Sequence, residues 1–289
     1  MRLIAAFAAL FASNAAATPI VVTDIAPIHG LVSEVMGDLG SPTLLLPANA
    51  DAHHYTMRPS DGQVLADADL VIWVGAGLTP WLEAPLQALA PDAKKLALLL
   101  SDGWAPRELH DEDDHDHGVI DPHAWLDPAI ANAWLGAIAA ALGAVDPENA
   151  EAYADNAEQA AVSNVELRLD IAAKMEAVAG RGVIWPHDAY GYFADAFGVM
   201  TKGAISDSDA AAPGPAHIAE LREIAQSGNV VCVLLDPEVN PSWAGILTDG
   251  TDVKTAQIDP IGVNSPLGVG FYSALMSQMA DQISGCLAQ

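Results

Sequence analysis

Three histidines far apart in the chain carry the chemistry: His53 in D-A-H-H-Y, His123 in D-P-H-A-W and His187 in W-P-H-D-A-Y-G-Y. Neutral imidazole is the commonest protein ligand for zinc. Asp259, in Q-I-D-P-I-G, is a fourth candidate donor because a carboxylate there ends an apolar run. The segment His110-Asp-Glu-Asp-Asp-His115-Asp-His117 holds the same donor types at high density. Its composition suits weak collection of divalent ions and equally a plain solvated loop. Each residue alone also has a bland reading. A loop histidine most often only makes hydrogen bonds, His187 can simply cap the helix that follows, and Asp259 can simply turn the chain before Pro260. His54, next to His53, adds an ambiguity, since only one of two chain neighbours normally points inward.

The surrounding pattern says what must position them. Apolar runs at 20–23, 43–46, 70–74, 96–100, 183–185, 230–235 and 255–258 alternate with helical stretches at 28–39, 80–89, 128–142, 189–197, 215–226, 241–249 and 266–287. Short, fully apolar strands separated by helices predict an α/β protein with parallel sheets flanked by helices. Ser60 is the expected cap of a further helix after the His53 segment. Asp146-Pro147-Glu148 opens another helix, with a capping Asp followed by Pro at its first position. No Gly or Pro interrupts it before Gly180, so about 34 residues would extend roughly 50 Å. This predicts two lobes, residues 18–145 and 181–289, joined by one long linker helix over 146–180. Ligands of open parallel sheets bind outside the carboxyl ends of the strands. His187 and Asp259 each directly follow a predicted strand, His53 lies a few residues past one, and His123 precedes the helix at Pro128. Two donors from each lobe would place a cation between the lobes.

Residues 1–17 read as a cleavable secretory leader: Arg2, an apolar core over 3–11, and Ala15-Ala16-Ala17 as the cleavage site. The apolar stretch is too short to span a bilayer. No cysteine near it suggests a lipid anchor, and no later segment reads as a membrane helix. The expected product is soluble and periplasmic. A formal net charge of −27 opposes phosphate backbones, so nucleic acid is excluded as a partner. Cys232 and Cys286 are the two cysteines, and an even count in an exported chain favours one disulfide over a pair of inert buried thiols. Neither has a C-x-x-C partner, so redox catalysis is not indicated.

The segments D-A-H-H-Y-T-M-R-P-S-D, A-D-L-V-I-W-V-G, D-P-H-A-W-L-D-P, H-D-A-Y-G-Y-F and G-T-D-V-K-T-A-Q-I-D-P-I-G together carry a family resemblance. The chain resembles the periplasmic zinc-binding components of ABC uptake transporters, the ZnuA-like members of the metal-specific solute-binding proteins. The resemblance implies two α/β lobes on one long helix, with a metal held between them by His53, His123 and His187. It also implies that His53 rather than His54 is the ligand, that His110, His115 and His117 belong to an accessory zinc-collecting loop, and that a disulfide is present. Some relatives have a glutamate just before the first ligand histidine; here Ala52 stands there, leaving Asp259 or a water as the fourth ligand, with Asp259 preferred. Manganese-type relatives tend to place a carboxylate where this chain has His187. Three imidazoles and a carboxylate suit Zn²⁺ better than Mn²⁺. The implied partners are an inner-membrane permease with its ATPase and, as a candidate donor, a periplasmic zinc chaperone; the chain itself is expected to be a monomer. H-E-x-x-H, G-x-S-x-G and G-x-G-x-x-G motifs are missing, which favours a receptor over an enzyme. The competing readings are a zinc hydrolase or hydratase with an open fourth position, and an adhesin or zinc buffer.

Overall fold

The computed structural model describes residues 18–48, 50–108, 120–206, 212–237 and 239–289. The first lobe contains β1 (Val21–Thr23), α1 (Ala26–Met36), β2 (Thr43–Leu44), α2 (Pro59–Ala66), β3 (Leu70–Trp73), α3 (Pro80–Leu89) and β4 (Lys94–Ala97). Then come α4 (Pro128–Val145) and α5 (Ala150–Glu176). The second lobe contains β5 (Gly182–His187), α6 (Gly191–Phe197), β6 (Met200–Ser206), α7 (Pro215–Gln226), β7 (Val230–Leu235), α8 (Ser242–Thr248), β8 (Lys254–Gln257) and α9 (Phe271–Leu287). Every strand pairing in the two sheets is parallel, in the orders β2-β1-β3-β4 and β6-β5-β7-β8. Parallel neighbours need a crossover, which is why helices separate the strands in sequence. The central strands β3 and β5 are buried throughout, whereas the edge strands β4 and β8 are largely open.

Four local expectations are corrected. β6 was not anticipated: it is an edge strand, half-exposed, with a lysine and Gly203 in its middle. That glycine sits at φ +135°, and a Cβ there would come within 2.7 Å of Leu221 on α7. The expected strand over 96–100 starts earlier, at Lys94, and Leu98–Leu100 form a 3-10 turn that buries Leu98 and leaves Leu100 exposed. The long helix is shorter than predicted. Pro147–Asn149 make a 3-10 turn, and α5 proper runs 27 residues, roughly 40 Å. Asp146 anchors its start, taking hydrogen bonds from Asn149 Nδ2 (2.7 Å) and Tyr153 Oη (2.8 Å). Finally, α4 is long and apolar enough by composition to cross a membrane. Its buried residues Ile130, Trp134, Leu135, Ile138 and Leu142 lie in the core with α5, as those of a core helix do.

Each lobe packs a private core against one face of its sheet: Val22, Leu65, Val71 and Leu82 in the first, Ile184, Ile205, Leu221 and Val233 in the second. A larger cluster runs through both, joining Ile28 and Leu31 of α1, Trp134 of α4, Tyr153 and Leu167 of α5, and Met279 of α9. The last helix belongs by sequence to the second lobe yet lies on α1 of the first. Gly30 permits that approach, since a Cβ there would stand 2.9 Å from the Phe271 ring. Glu34 Oε1 accepts the Gly270 N–H at 2.6 Å beside it. The expected disulfide is present: Cys232 of β7 bonds Cys286 of α9, with Cα atoms 5.9 Å apart.

That bridge closes a loop of 54 residues, so replacing both cysteines by alanine is expected to lower the unfolding free energy by about 4 kcal/mol. Urea denaturation of oxidised protein measures it, and an unchanged midpoint would contradict the assignment. Asp24 at the end of β1 generates a second expectation. Its buried carboxylate accepts from the N–H groups of Ile25 and Val74 at 2.9 Å and from Thr79 Oγ1 at 3.1 Å. Loss of hydration outweighs those bonds and pushes its pKa up from 3.8 to about 6. A raised folded-state value means that folding favours the protonated form. The resulting stability is complete below the unfolded pKa and disappears as pH rises through about 6. The melting temperature of the wild type relative to Asp24→Asn should therefore fall between pH 4 and pH 7, roughly the window set by those two values. A pH-independent difference would refute this.

Candidate metal centre

His187 is the last residue of β5, in the second lobe. His123 immediately precedes a 3-10 turn, Ala124–Leu126, which leads into α4 through Asp127, whose Oδ1 accepts the Ala129 N–H at 2.9 Å. His53 sits in the turn between β2 and α2. The fold brings the three together with His123 in the middle: its ring centroid is 5.5 Å from that of His53 and 5.9 Å from that of His187. Two imidazoles bound to one tetrahedral zinc have centroids roughly 5 Å apart. Among the described residues no three donor groups already meet at coordination distance, so the rings form a slightly open set.

Each buried ring is held by a carboxylate. Asp121 Oδ1 lies 2.9 Å from His123 Nδ1 and also accepts the His123 N–H at 3.0 Å. Asp236 Oδ2 lies 2.8 Å from His187 Nδ1. A carboxylate offers only acceptors, so Nδ1 carries the proton in both rings and Nε2 keeps its lone pair for a cation. Asp236 is itself fixed by Tyr190 Oη at 2.9 Å and the Val239 N–H at 3.1 Å. The Tyr190 ring stacks on Trp185 at 4.8 Å and meets His187 edge-on at 5.4 Å, forming an apolar wall.

Asp51 engages both of the neighbouring histidines, His53 and His54. Its carboxylate accepts the His53 N–H at 2.7 Å and pairs with His54 Nδ1 at 3.0 Å, and the His54 side chain is 57% exposed. His53 is left facing His123. Its turn is anchored on both sides: Trp81 Nε1 donates to the Ala52 carbonyl at 2.7 Å, and Asp61 Oδ2 receives Tyr55 Oη and the Arg58 N–H, both at 2.7 Å. The cap of α2 is Arg58, with Pro59 at the first helical position, so Ser60 stands two positions past the cap. Ala52 is buried.

Asp259 follows β8 and Ile258, in the second lobe. Its Oδ1 accepts N–H groups of Ile261 (3.2 Å) and Gly262 (2.7 Å), and its Oδ2 that of Val263 (2.7 Å). Both oxygens thus serve their own loop. The loop is tied to the His123 element, because Trp125 Nε1 donates to the Pro260 carbonyl at 3.0 Å and Tyr272 Oη to the Trp125 carbonyl at 2.7 Å. His110, His115 and His117 lie outside the described residues. The chain on either side of them is joined by an antiparallel bridge between Glu108 and Ile120.

Asp121, two residues before His123, orients that ring, but Asp188 beside His187 is exposed and the carboxylate on His187 is Asp236, just past the adjacent strand. The available signal was the Asp-Pro that ends the apolar run Val230–Leu235, the same punctuation seen at Asp259-Pro260. Arg107 was also missed; it is one of only 11 basic residues against 38 acidic ones, and it lies on Asp121. Ligand-sized surface hollows lie elsewhere, one of about 400 Å³ beside Trp73 and Leu100 and another of about 500 Å³ beside Lys202 and Asn229. Clustered imidazoles suit a borderline transition-metal cation.

The family model for the periplasmic component A of zinc-uptake complexes, ZnuA, matches residues 21–286. The chain is 36% identical over 303 residues to the high-affinity zinc uptake system protein ZnuA of Paracoccus denitrificans, covering 94% of this chain and 93% of that one. It is 32% identical over 294 residues to the same-named protein of Yersinia pestis, with 94% and 92% covered. Among solved structures it resembles a crystal structure of ZnuA (TM-score 0.81, 22% identity, 93% and 99% covered). It also resembles the solute-binding protein FpvC of Pseudomonas aeruginosa in complex with Mn²⁺ (TM-score 0.82, 21% identity, 94% and 99% covered). At such identities the solved structures speak for the fold alone. The match over nearly the whole length, carried by both the family model and relatives above 30% identity, means that this chain belongs to the ZnuA family of periplasmic zinc-uptake components.

Proposed function

We propose that this protein captures Zn²⁺ with His53, His123 and His187 between its two lobes and delivers it to an inner-membrane ABC permease for import. The observation that carries this reading is the pair of buried imidazoles whose Nδ1 atoms are held by Asp121 and Asp236, with a third imidazole facing them. Three nitrogen donors favour Zn²⁺ over Mn²⁺, whose preferred set is richer in oxygen. Asp259 is proposed as the fourth ligand. Its Oδ2 accepts only the Val263 N–H and keeps a second lone pair, so it can accept a metal without surrendering that bond. Water is the alternative occupant of that position.

In this reading residues 1–17 are a cleaved leader, 18–145 and 181–289 are the metal-binding lobes, and 146–180 is the linker that α5 dominates. The protein acts as a periplasmic monomer and a receptor. Its site carboxylates are committed to orienting imidazoles, which suits binding better than the proton transfers of a hydrolase. His110, His115 and His117 serve as an accessory collector, and a periplasmic zinc chaperone is a candidate donor.

Metal-free protein lacking residues 1–17 is expected to take up one tightly bound Zn²⁺ in calorimetry, with release of protons. His123→Ala and His187→Ala should each weaken it by more than about 100-fold, beyond the usual effect of an outer partner, whereas His54→Ala should change nothing. Wild-type affinity in either of the first two variants would exclude the site. Asp259→Ala separates the two fourth ligands, because unchanged affinity would assign that position to water. Deleting 110–117 is expected to leave the tight site's affinity unaltered and to remove only weak additional uptake at high Zn²⁺. Loss of the tight site would overturn the accessory role. For delivery, growth of a deletion strain under zinc limitation should be restored by the wild type and not by His187→Ala.

A further inference from the structure

We infer that Arg107 is a positioning residue that sets the affinity of the metal site by pinning its two halves with one guanidinium. The inference rests on the reading of His53, His123 and His187 as the zinc ligands. Arg107 donates from NH1 to Asp121 Oδ2 at 3.0 Å, while the other oxygen of Asp121 holds the His123 ring. Asp121 is completely buried. A buried carboxylate gripped at one oxygen only could still rotate about its last bond. Gripped at both, it fixes the plane in which His123 Nδ1 must lie. The guanidinium also supplies the countercharge that a carboxylate in a dry interior needs.

The same side chain reaches the second lobe. Its Nε lies 3.3 Å from Asp195 Oδ2, and its backbone N–H donates to Tyr192 Oη at 2.8 Å, both on α6. Asp195 is 75% exposed, so that ion pair contributes little by itself. The closer engagement is steric. A Cβ on Gly191 would stand 2.2 Å from the guanidinium carbon and 2.4 and 2.5 Å from two of its nitrogens. The planar group therefore lies directly on the first residue of α6. The preceding residue is Tyr190, which donates to Asp236 and so steadies the carboxylate beside His187. One cation from the first lobe thus grips the Asp121–His123 pair directly and lies against the start of α6, next to the tyrosine that donates to Asp236. A lysine could neutralise Asp121 but could not lie flat on Gly191 while doing so.

The test is a double-mutant cycle read by zinc affinity, using competition of metal-free protein with a fluorescent zinc chelator. Arg107→Ala is expected to weaken Zn²⁺ binding about 10- to 100-fold, the range for outer partners of metal ligands, with Arg107→Lys recovering part of it. Gly191→Ala is expected to weaken binding when Arg107 is present, because the methyl group displaces the guanidinium, and to have no further effect on Arg107→Ala. A general structural role would not produce that dependence. Arg107→Ala within twofold of the wild type, or a Gly191→Ala effect that is the same in both backgrounds, overturns the inference. Should Arg107→Ala not fold, Gly191→Ala alone decides: lost affinity supports the role and wild-type affinity rejects it. His123→Ala runs alongside as the control. If the wild type binds no Zn²⁺, or His123→Ala binds as well as the wild type, it is the site reading that fails rather than the role of Arg107.

Discussion

A carboxylate set against the Nδ1 of a buried imidazole decides which nitrogen is left to face a cation, and this contact occurs on both sides of the site. Asp121 makes it for His123 and Asp236 for His187. The second of these contacts depends on the sheet. In parallel sheets all strands end at one edge, so Asp236, just past β7, falls beside His187 at the end of the neighbouring β5. Much of the remaining structure supports those two carboxylates: Tyr190 stacked on Trp185 steadies one, and Arg107 on Gly191 steadies the other. Geometry that costs ordering entropy in a loop is here built into strand ends and helix starts, where folding has already fixed the backbone.

The lobes meet through more than a linker. α5 lies between them, α9 crosses from the second lobe onto α1, and Trp125 donates to the Pro260 carbonyl while accepting from Tyr272 Oη at its own. One apolar cluster is continuous through both. Separating the lobes would return large side chains such as Trp125 and Tyr272 to water, at about 1.5–3 kcal/mol for each large apolar side chain exposed. The three imidazoles therefore converge at a seam between the lobes that core packing holds together. His53, on a turn and only half-buried, has the lightest such support of the three imidazoles.

How much of this was written in local sequence depends on the range of the interaction responsible. α3, α7 and β7 fall where proline starts and apolar runs put them, because their signals are short-range. β6 escaped because an edge strand with an exposed half needs no apolar run, and its place is set by α7 closing over Gly203. α5 was overestimated since helix-forming residues continue past Glu176, while the turn toward Gly180 follows from docking the next strand. The three histidines were legible as candidates, and their convergence follows from strand order. How Asp51 divides its bonds between His53 and His54 was not legible, since either could have engaged it. Asp236 as the partner of His187 was hidden because it is 49 residues away in sequence, across the sheet.

The bridge between Glu108 and Ile120 has a consequence for how such a protein can change over generations. The backbone closes there, and Asp121 N donates to the Arg107 carbonyl at 2.9 Å, one step before the residues that orient His123. Whatever is inserted between 108 and 120 enters and leaves through that clasp. Doubling the length of such an insert adds only about 0.6 kcal/mol of closure entropy. An insert of almost any length or composition between 108 and 120 is thus compatible with the same geometry of the buried imidazoles.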